Sequence, residues 1–197
     1  MARRSDHTRE ERHELALRAA AALIEEEGLE ALSTRRIAAR MGYTAGSLYQ
    51  LFSNLNDLIL QLNGRTLAEL ISLMKTTVEK AGTPEQTVIR MADCYIDFAH
   101  RHAARWQLLY SHEHDGPLPE WFGQQIGTAF GLVEAQLARC GGSGEARLAS
   151  RALWSGIHGI AQLSLTSNLG LAGIASTQSV SHCLVTGFIR GFEHGKR

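Results

Sequence analysis

The stretch Ala31-Leu32-Ser33-Thr34-Arg35-Arg36-Ile37-Ala38-Ala39-Arg40-Met41-Gly42-Tyr43-Thr44-Ala45-Gly46-Ser47-Leu48-Tyr49-Gln50-Leu51-Phe52 decides the fold. Ser33 or Thr34 can cap a short helix that carries Ile37, Ala38 and Met41 and stops at Gly42 after about two turns. Thr44 caps a second short helix, Ala45 to Leu51. Two short helices joined by Gly42-Tyr43-Thr44, behind a longer first helix, follow the helix-turn-helix plan, whose second short helix lies in the DNA major groove. That geometry requires a glycine or similar residue at the turn, apolar residues inside both helices and small or polar ones on the open face. Ile37, Ala38, Met41, Leu48 and Phe52 supply the inside; Thr44, Ala45, Gly46, Ser47 and Gln50 remain outside.

Working outward, helical periodicity appears almost everywhere and strand alternation almost nowhere, which predicts an all-α chain of about nine helices. A first helix spans about Thr8 to Glu27, with Leu15, Ala19, Ala22 and Leu23 on one face, and ends at Gly28. Asn54 to Asp57 open a long pattern through Leu58, Ile59, Leu62, Leu67, Leu70, Ile71, Met74 and Val78, ending near Gly82. Thr83-Pro84-Glu85-Gln86 is a strong helix start, because Thr can cap, Pro fits the first turn and Gln86 can close a capping box. Helices to about His102 and from Ala103 to Ser111 follow. His112 to Pro119 reads as a loop; further helices span Glu120 to Cys140, Glu145 to about Asn168, and Thr177 to His194. The break between the first two of these is Gly141-Gly142-Ser143-Gly144.

The 197 residues carry 20 Lys+Arg against 20 Asp+Glu, so a nucleic-acid partner must be argued from a local constellation and not from global charge. With 44% hydrophobic residues and 3 Pro the chain can bury a core, which excludes disorder. The N-terminus lacks the apolar run of a secretory signal, and Cys94, Cys140 and Cys183 suit neither a disulfide framework nor a zinc knuckle. Free thiols in a reducing cytosol are expected. From Ala152 to Ile189 there is no charged residue. Polar side chains interrupt that stretch throughout, so no apolar run of about 20 residues exists to span a membrane.

Residues 31–52 resemble the DNA-binding domain of the TetR/AcrR transcriptional regulators. Thr34, Ile37-Ala38, Gly42, Gly46, Leu48-Tyr49 and Phe52 carry the match, with Leu58 opening the connecting helix. The resemblance implies a three-helix DNA-binding domain over residues 1–54, followed by a helical ligand-binding and dimerisation domain over residues 55–197. It implies that Thr34 and Tyr49 hold phosphates and that Arg36, Thr44, Ala45, Ser47 and Gln50 face base edges, with Arg35, Gly46 and Asn54 completing the DNA-binding surface. These roles are chemically sound, since Tyr hydroxyls and helix N-termini bind phosphate, Arg pairs with guanine and Gln with adenine. From Ser33 to Arg65 four arginines (35, 36, 40 and 65) face one acid, Asp57. Arg3 and Arg4 add a possible arm to the DNA backbone. The chain departs from the family at Leu55, where a Lys is usual, and at Leu51, where a His or Tyr is common. Losing that Lys removes one phosphate contact and flattens the salt dependence.

The resemblance also implies a homodimer formed by the last two helices of each subunit. The uncharged stretch supports this independently, because interface cores are depleted of charge. Ser155 and Gly159, and Gly187 and Gly191, place small residues one turn apart, beside Val180, Leu184 and Phe188. Trp154-Ser155-Gly156-Ile157-His158-Gly159 resembles the subgroup marked by a Trp, His-Gly signature in the C-terminal domain.

A small-molecule effector needs apolar walls and a few polar anchors. Met91, Tyr95 and Phe98 on one stripe, Trp106 and Tyr110 on the next helix, Trp121 and Phe122 after it, and Trp154 with His158 are the candidates, each also a candidate core residue. The competing class is a helical small-molecule or metal-binding protein whose DNA-binding motif is no longer competent. His112-Glu113-His114-Asp115 offers ligands, but adjacent residues in a loop lack the spacing of a zinc site. No metal, cofactor or catalytic site is expected. The sequence thus predicts a cytoplasmic, homodimeric regulator that binds double-stranded operator DNA, most often a repressor, released by a small apolar or aromatic molecule.

Overall fold

The computed structural model describes residues 7–112, 116–141, 146–166, 168–173 and 176–194. Among the described residues there are ten α-helices and no strand. They are α1 (Arg9–Glu27), α2 (Thr34–Met41), α3 (Ala45–Leu48), α4 (Leu55–Val78), α5 (Pro84–Arg101), α6 (Ala103–Ser111), α7 (Glu120–Arg139), α8 (Ala146–Leu165), α9 (Asn168–Leu171) and α10 (Thr177–His194), with a 3-10 turn at Leu29–Ala31. The all-α expectation holds. The count exceeds nine because the segment after α8 folds a further short turn, α9, and the break around residues 142–145 lies outside the described residues.

Local chemistry explains most boundaries. Thr8 and Glu11 form a capping box at α1, and Thr83 and Gln86 form one at α5 with Pro84 in its first turn. The Ser33 hydroxyl accepts from the Arg36 amide at the start of α2. Thr44 sits at the N-cap of α3, but its hydroxyl meets Ser47 Oγ at 3.0 Å and no backbone amide. α3 is accordingly one turn long, and Tyr49 to Leu51 continue it only as a turn, with the Leu51 and Phe52 amides donating to the Leu48 carbonyl. Gly42 ends α2 in the left-handed region at φ 76°, where a side chain would be strained.

The chain divides into two compact units. The first comprises residues 1–66 and Ala104–Leu118. Its core joins Ala16, Leu17, Ala20, Leu23 and Ile24 of α1 to Ile37, Ala38 and Met41 of α2, Leu48, Phe52, and Leu58, Ile59 and Leu62 of α4. Leu108 of α6 belongs to the same cluster. Arg105 extends the attachment of α6 by an ion pair to Glu25 at 2.7 Å. The boundary read between residues 54 and 55 therefore falls at the first residue of α4, while the packing of this unit continues to Thr66 and takes in α6.

The second unit comprises Leu67–Ala103 and residues 119–197. In it α5 packs against α7, α8 and α10, and α8 against α7 and α10. Val88, Met91, Tyr95 and Phe98 meet Leu153, Ile157 and Ile160 of α8 and Val185 and Ile189 of α10 in the buried interior. A Cβ on Gly156 would lie 2.6 Å from Leu184 Cδ2, so the absence of a side chain here makes room for Leu184 of α10 against α8. Among the described residues no helix is long and apolar enough to cross a membrane.

Two glycines give a stability test. Gly42→Ala should cost about 1 kcal/mol, because alanine is strained at positive φ. Gly46→Ala should be neutral or stabilising by up to about 1 kcal/mol, because a Cβ there meets only Thr44 Oγ1, at 3.8 Å, and alanine is the better helix former. Urea melts of both variants check the opposite signs.

Candidate functional site

The open face of the helix-turn-helix is built on burial beneath it. Leu48 is 2% exposed while its neighbour Tyr49 is 58% exposed. Thr44, Gly46 and Gln50 are also exposed, and Thr34, Ala45 and Ser47 are half-buried at its edge. A phenol so open is well placed to meet a polar or anionic surface. Leu51 and Leu55 are accounted for in the same terms. Leu51 is buried and Leu55 packs against the core cluster, so both positions seal the domain from below.

The charge around this face differs from the sequence reading. The guanidinium of Arg36 is bound by Glu27, that of Arg40 by Glu26, and that of Arg65 by Glu14 at 2.7 Å. Three of the four arginines that give residues 33–65 their positive balance are thus paired with acids of α1, a relation invisible in sequence because the partners lie outside that window. Arg35 is exposed and makes no ion pair among the described residues. Arg3 and Arg4 lie outside the described residues.

The start of α4 is tied down by a polar chain. Asn54 Oδ1 accepts from the Asp57 amide, and the Asp57 carboxylate accepts from the Ser53 amide and from Gln61 Nε2, each at 2.8 Å. His13 of α1 meets Gln61 Oε1 at 2.6 Å and stacks on Phe52 with centroids 4.7 Å apart. Burial alone would raise the Asp57 pKa, but the bonds from Gln61 and Ser53 outweigh it and hold the carboxyl below its ordinary value. Asn54, expected at the DNA surface, is exposed but already serves as the cap of α4.

In the second unit a small apolar cavity of about 50 Å³ lies among Met74, Met91, Tyr95, Leu153, Trp154 and Ile157, with Val88, Ala92, Val133 and Ser150 completing its wall. Three of the expected ligand residues, Met91, Tyr95 and Trp154, line it. His158 stands behind, its Nδ1 2.8 Å from the Tyr95 hydroxyl and its ring 5.2 Å from that of Trp154. Burial lowers the His158 pKa, which favours the neutral ring, and the hydrogen bond between its Nδ1 and the Tyr95 hydroxyl takes its direction from the imidazole tautomer. Arg151, paired with Glu134, covers Phe130, which meets Trp154 edge-on.

The other candidates fall elsewhere. Phe98 is core, and its ring packs on His102. Trp106, 0% exposed, and Tyr110 lie on α6 in the first unit, not in the wall of this cavity, because Leu108 and Arg105 anchor that helix to the first core. Trp121 is exposed on α7, and Phe122 is buried beside it. Glu113, His114 and Asp115 lie outside the described residues; among the described residues no group of three ligating side chains could hold a metal ion. The three cysteines are unbridged, and burial, reinforced by Asp97, raises the Cys94 pKa.

On the faces expected to dimerise, Ser155, Gly187 and Gly191 are exposed and Gly159, Val180, Leu184 and Phe188 half-buried. A Cβ on Gly159, Gly187 or Gly191 would meet nothing within 4 Å. Close packing inside the protomer uses Gly156 instead, a residue the small-residue spacing did not single out.

Two family profiles match this architecture. The profile for bacterial regulatory proteins of the tetR family matches residues 16–62, and the tetracyclin repressor-like C-terminal domain matches residues 88–186. An uncharacterized HTH-type transcriptional regulator of Mycobacterium tuberculosis is 27% identical over 86% of this chain and 76% of its own length. A solved protein of unknown function from Rhodococcus sp. RHA1 superposes with a TM-score of 0.82 at 20% identity, over 98% of this chain and 100% of that one. The transcriptional regulator FadR from Bacillus subtilis, solved in complex with stearoyl-CoA, superposes with a TM-score of 0.67 at 16% identity, over 91% and 98% of the two chains. The chain belongs to the TetR family of DNA-binding transcriptional regulators.

Two measurements test the site. Glu27→Gln releases Arg36, so affinity for DNA should rise by about two- to fivefold, with a steeper salt dependence, in an anisotropy titration. For His158, the unfolded chain takes up a proton near pH 6.5 before the folded one does, because burial lowers the folded pKa. Stability therefore falls as pH drops through that value, and His158→Gln should flatten this part of the stability curve measured by urea unfolding between pH 7.5 and about 5.

Proposed function

We propose that this TetR-family regulator is a cytoplasmic homodimer that represses transcription from its operator and is released by a small apolar or aromatic molecule. The observation that carries the reading is the surface of residues 44–50, where an exposed Tyr49 and a row of small and polar side chains stand directly over buried Leu48. In this reading Thr34 and Tyr49 hold phosphates. Arg35, Arg36, Thr44, Ala45, Ser47 and Gln50 reach base edges, Gly46 lets the helix approach the duplex closely, and Asn54 contributes through its amide. Arg36 exchanges Glu27 for DNA; Arg35 has no such pair to break.

Residues 1–54 read DNA, and residues 55–197 bind effector and dimerise. The open glycines at 159, 187 and 191 support a second copy packing against α8 and α10, with Ser155, Val180, Leu184 and Phe188 around them. Trp154, His158 and Gly159 support membership of the subgroup with the Trp, His-Gly signature. Met91, Tyr95, Trp154 and His158, gathered within the C-terminal unit, support an effector that binds there. FadR, which shares this fold, was solved with stearoyl-CoA, and that supports a small-molecule effector. Release is a shift of population toward a liganded dimer whose recognition helices no longer match the operator, which requires effector affinity to differ between the two forms. The protein has no catalytic role.

The test is an anisotropy titration of the purified protein against fragments of its own promoter region, at two salt concentrations and with unrelated DNA as competitor. Saturable binding that survives competitor is expected. Arg35→Ala should weaken it by about tenfold or more and Tyr49→Phe by about threefold to tenfold, while both keep the wild-type melting temperature and dimer mass. Unchanged affinity in both variants would remove these contacts from the interface.

A further inference from the structure

The cavity beside Trp154, at about 50 Å³, has room for little more than water, whereas sites for drug-sized ligands occupy about 300 Å³ or more. A groove of about 510 Å³ lies in the same unit, between α4 and α7. Each helix presents one stripe to it. Ala68, Ile71, Ser72 and Lys75 line one side. Trp121, Gln124, Gln125 and Thr128 line the other, with the same spacing of three, four and seven residues.

Three features of this groove define an occupant. Trp121 is 40% exposed, yet its ring is braced edge-on by buried Phe122, with centroids 5.4 Å apart at 85°. A braced, open indole is a ready stacking surface for a flat ring. The Oε1 atom of Gln125 is buried without a hydrogen-bond partner among the described residues. An orphaned buried acceptor is costly, and a turn of the Gln125 side chain toward the groove that it lines satisfies it with a donor on a ligand, with no existing bond to break. The ammonium of Lys75 is exposed and makes no ion pair among the described residues, so it is the cation available to an anionic group.

We propose that the groove between α4 and α7 binds a flat aromatic anion that carries a hydrogen-bond donor beside its ring. The ring stacks on Trp121 and covers Ile71, the donor meets Gln125 Oε1, and the negative group meets Lys75. The site is distinct from the cavity beside Trp154, although both draw on α4 and α7: Met74 and Val133 line the cavity, whereas Lys75 and Trp121 line the groove. Occupancy therefore bears on the helix that also begins the closure of the first core at Leu55 and Leu58. That consequence for regulation rests on the function proposed above; the binding itself does not.

Two dyes that share an anilino N–H but differ in charge separate these contacts: anilinonaphthalene sulfonate and the uncharged N-phenylnaphthylamine. Each is titrated into the full chain and followed by its fluorescence. The sulfonate should bind saturably and more tightly than the neutral dye. Lys75→Gln should weaken the sulfonate by about fivefold and leave the neutral dye unchanged. Gln125→Leu should weaken both by about threefold or more, and Thr128→Trp, which fills the groove, should abolish both. The proposal is overturned if the wild-type protein binds neither dye, if Lys75→Gln leaves the sulfonate unaffected, or if both dyes still bind to Thr128→Trp. DNA titrations run in parallel keep the two readings apart. Unaltered dye binding in the variants with DNA binding retained sinks the groove alone, and the expected dye pattern without any DNA binding sinks the regulator reading alone.

Discussion

A helix of four residues has no stability of its own, since isolated helices need about 12–15 residues to become even marginal in water. α3 exists because Leu48 and Phe52 are driven into the core that α1, α2 and α4 build around Ile37 and Leu58. The capping chemistry that starts most of the other helices is not available to it, because Thr44 uses its hydroxyl on Ser47. The open face of residues 44–50, which we propose meets DNA, is therefore held from below. Loss of core volume at Leu48 would move that whole face, with Tyr49 and Gln50, and not one side chain of it.

The same core fixes the electrostatics. Packing α1 against α2 brings Glu26 and Glu27 beside Arg40 and Arg36, and packing α1 against α4 brings Glu14 beside Arg65. Exposed pairs of this kind contribute little to stability. Their effect is on what the surface offers a polyanion, because a paired arginine must give up its carboxylate before it meets DNA. A neutral chain can thus carry a basic reading surface whose strength is moderated by its own first helix. The C-terminal unit reaches a comparable balance by burial. Desolvation holds the His158 pKa down, and its Nδ1 shares a hydrogen bond with the Tyr95 hydroxyl, which lets a polar pair sit beside an otherwise apolar cavity.

The sequence by itself determined the helices, their caps and the turn at Gly42, because these depend on neighbours within about four residues. Thr8 with Glu11, Thr83 with Gln86, and Ser33 before α2 were all legible in that way. The family was legible too, through the resemblance of residues 31–52 to its DNA-binding domain. Contacts across the chain were decided by the tertiary structure alone. Trp106 looked like cavity lining by its helix stripe, yet α6 packs in the first unit through Leu108 and Arg105. Arg36 looked like a free base reader until α1 placed Glu27 against it. Gly156 takes the close approach of α10 within the protomer, because which glycine faces a neighbour depends on the rotation of α8 about its axis. Composition and spacing specify a stripe; only packing specifies what that stripe meets.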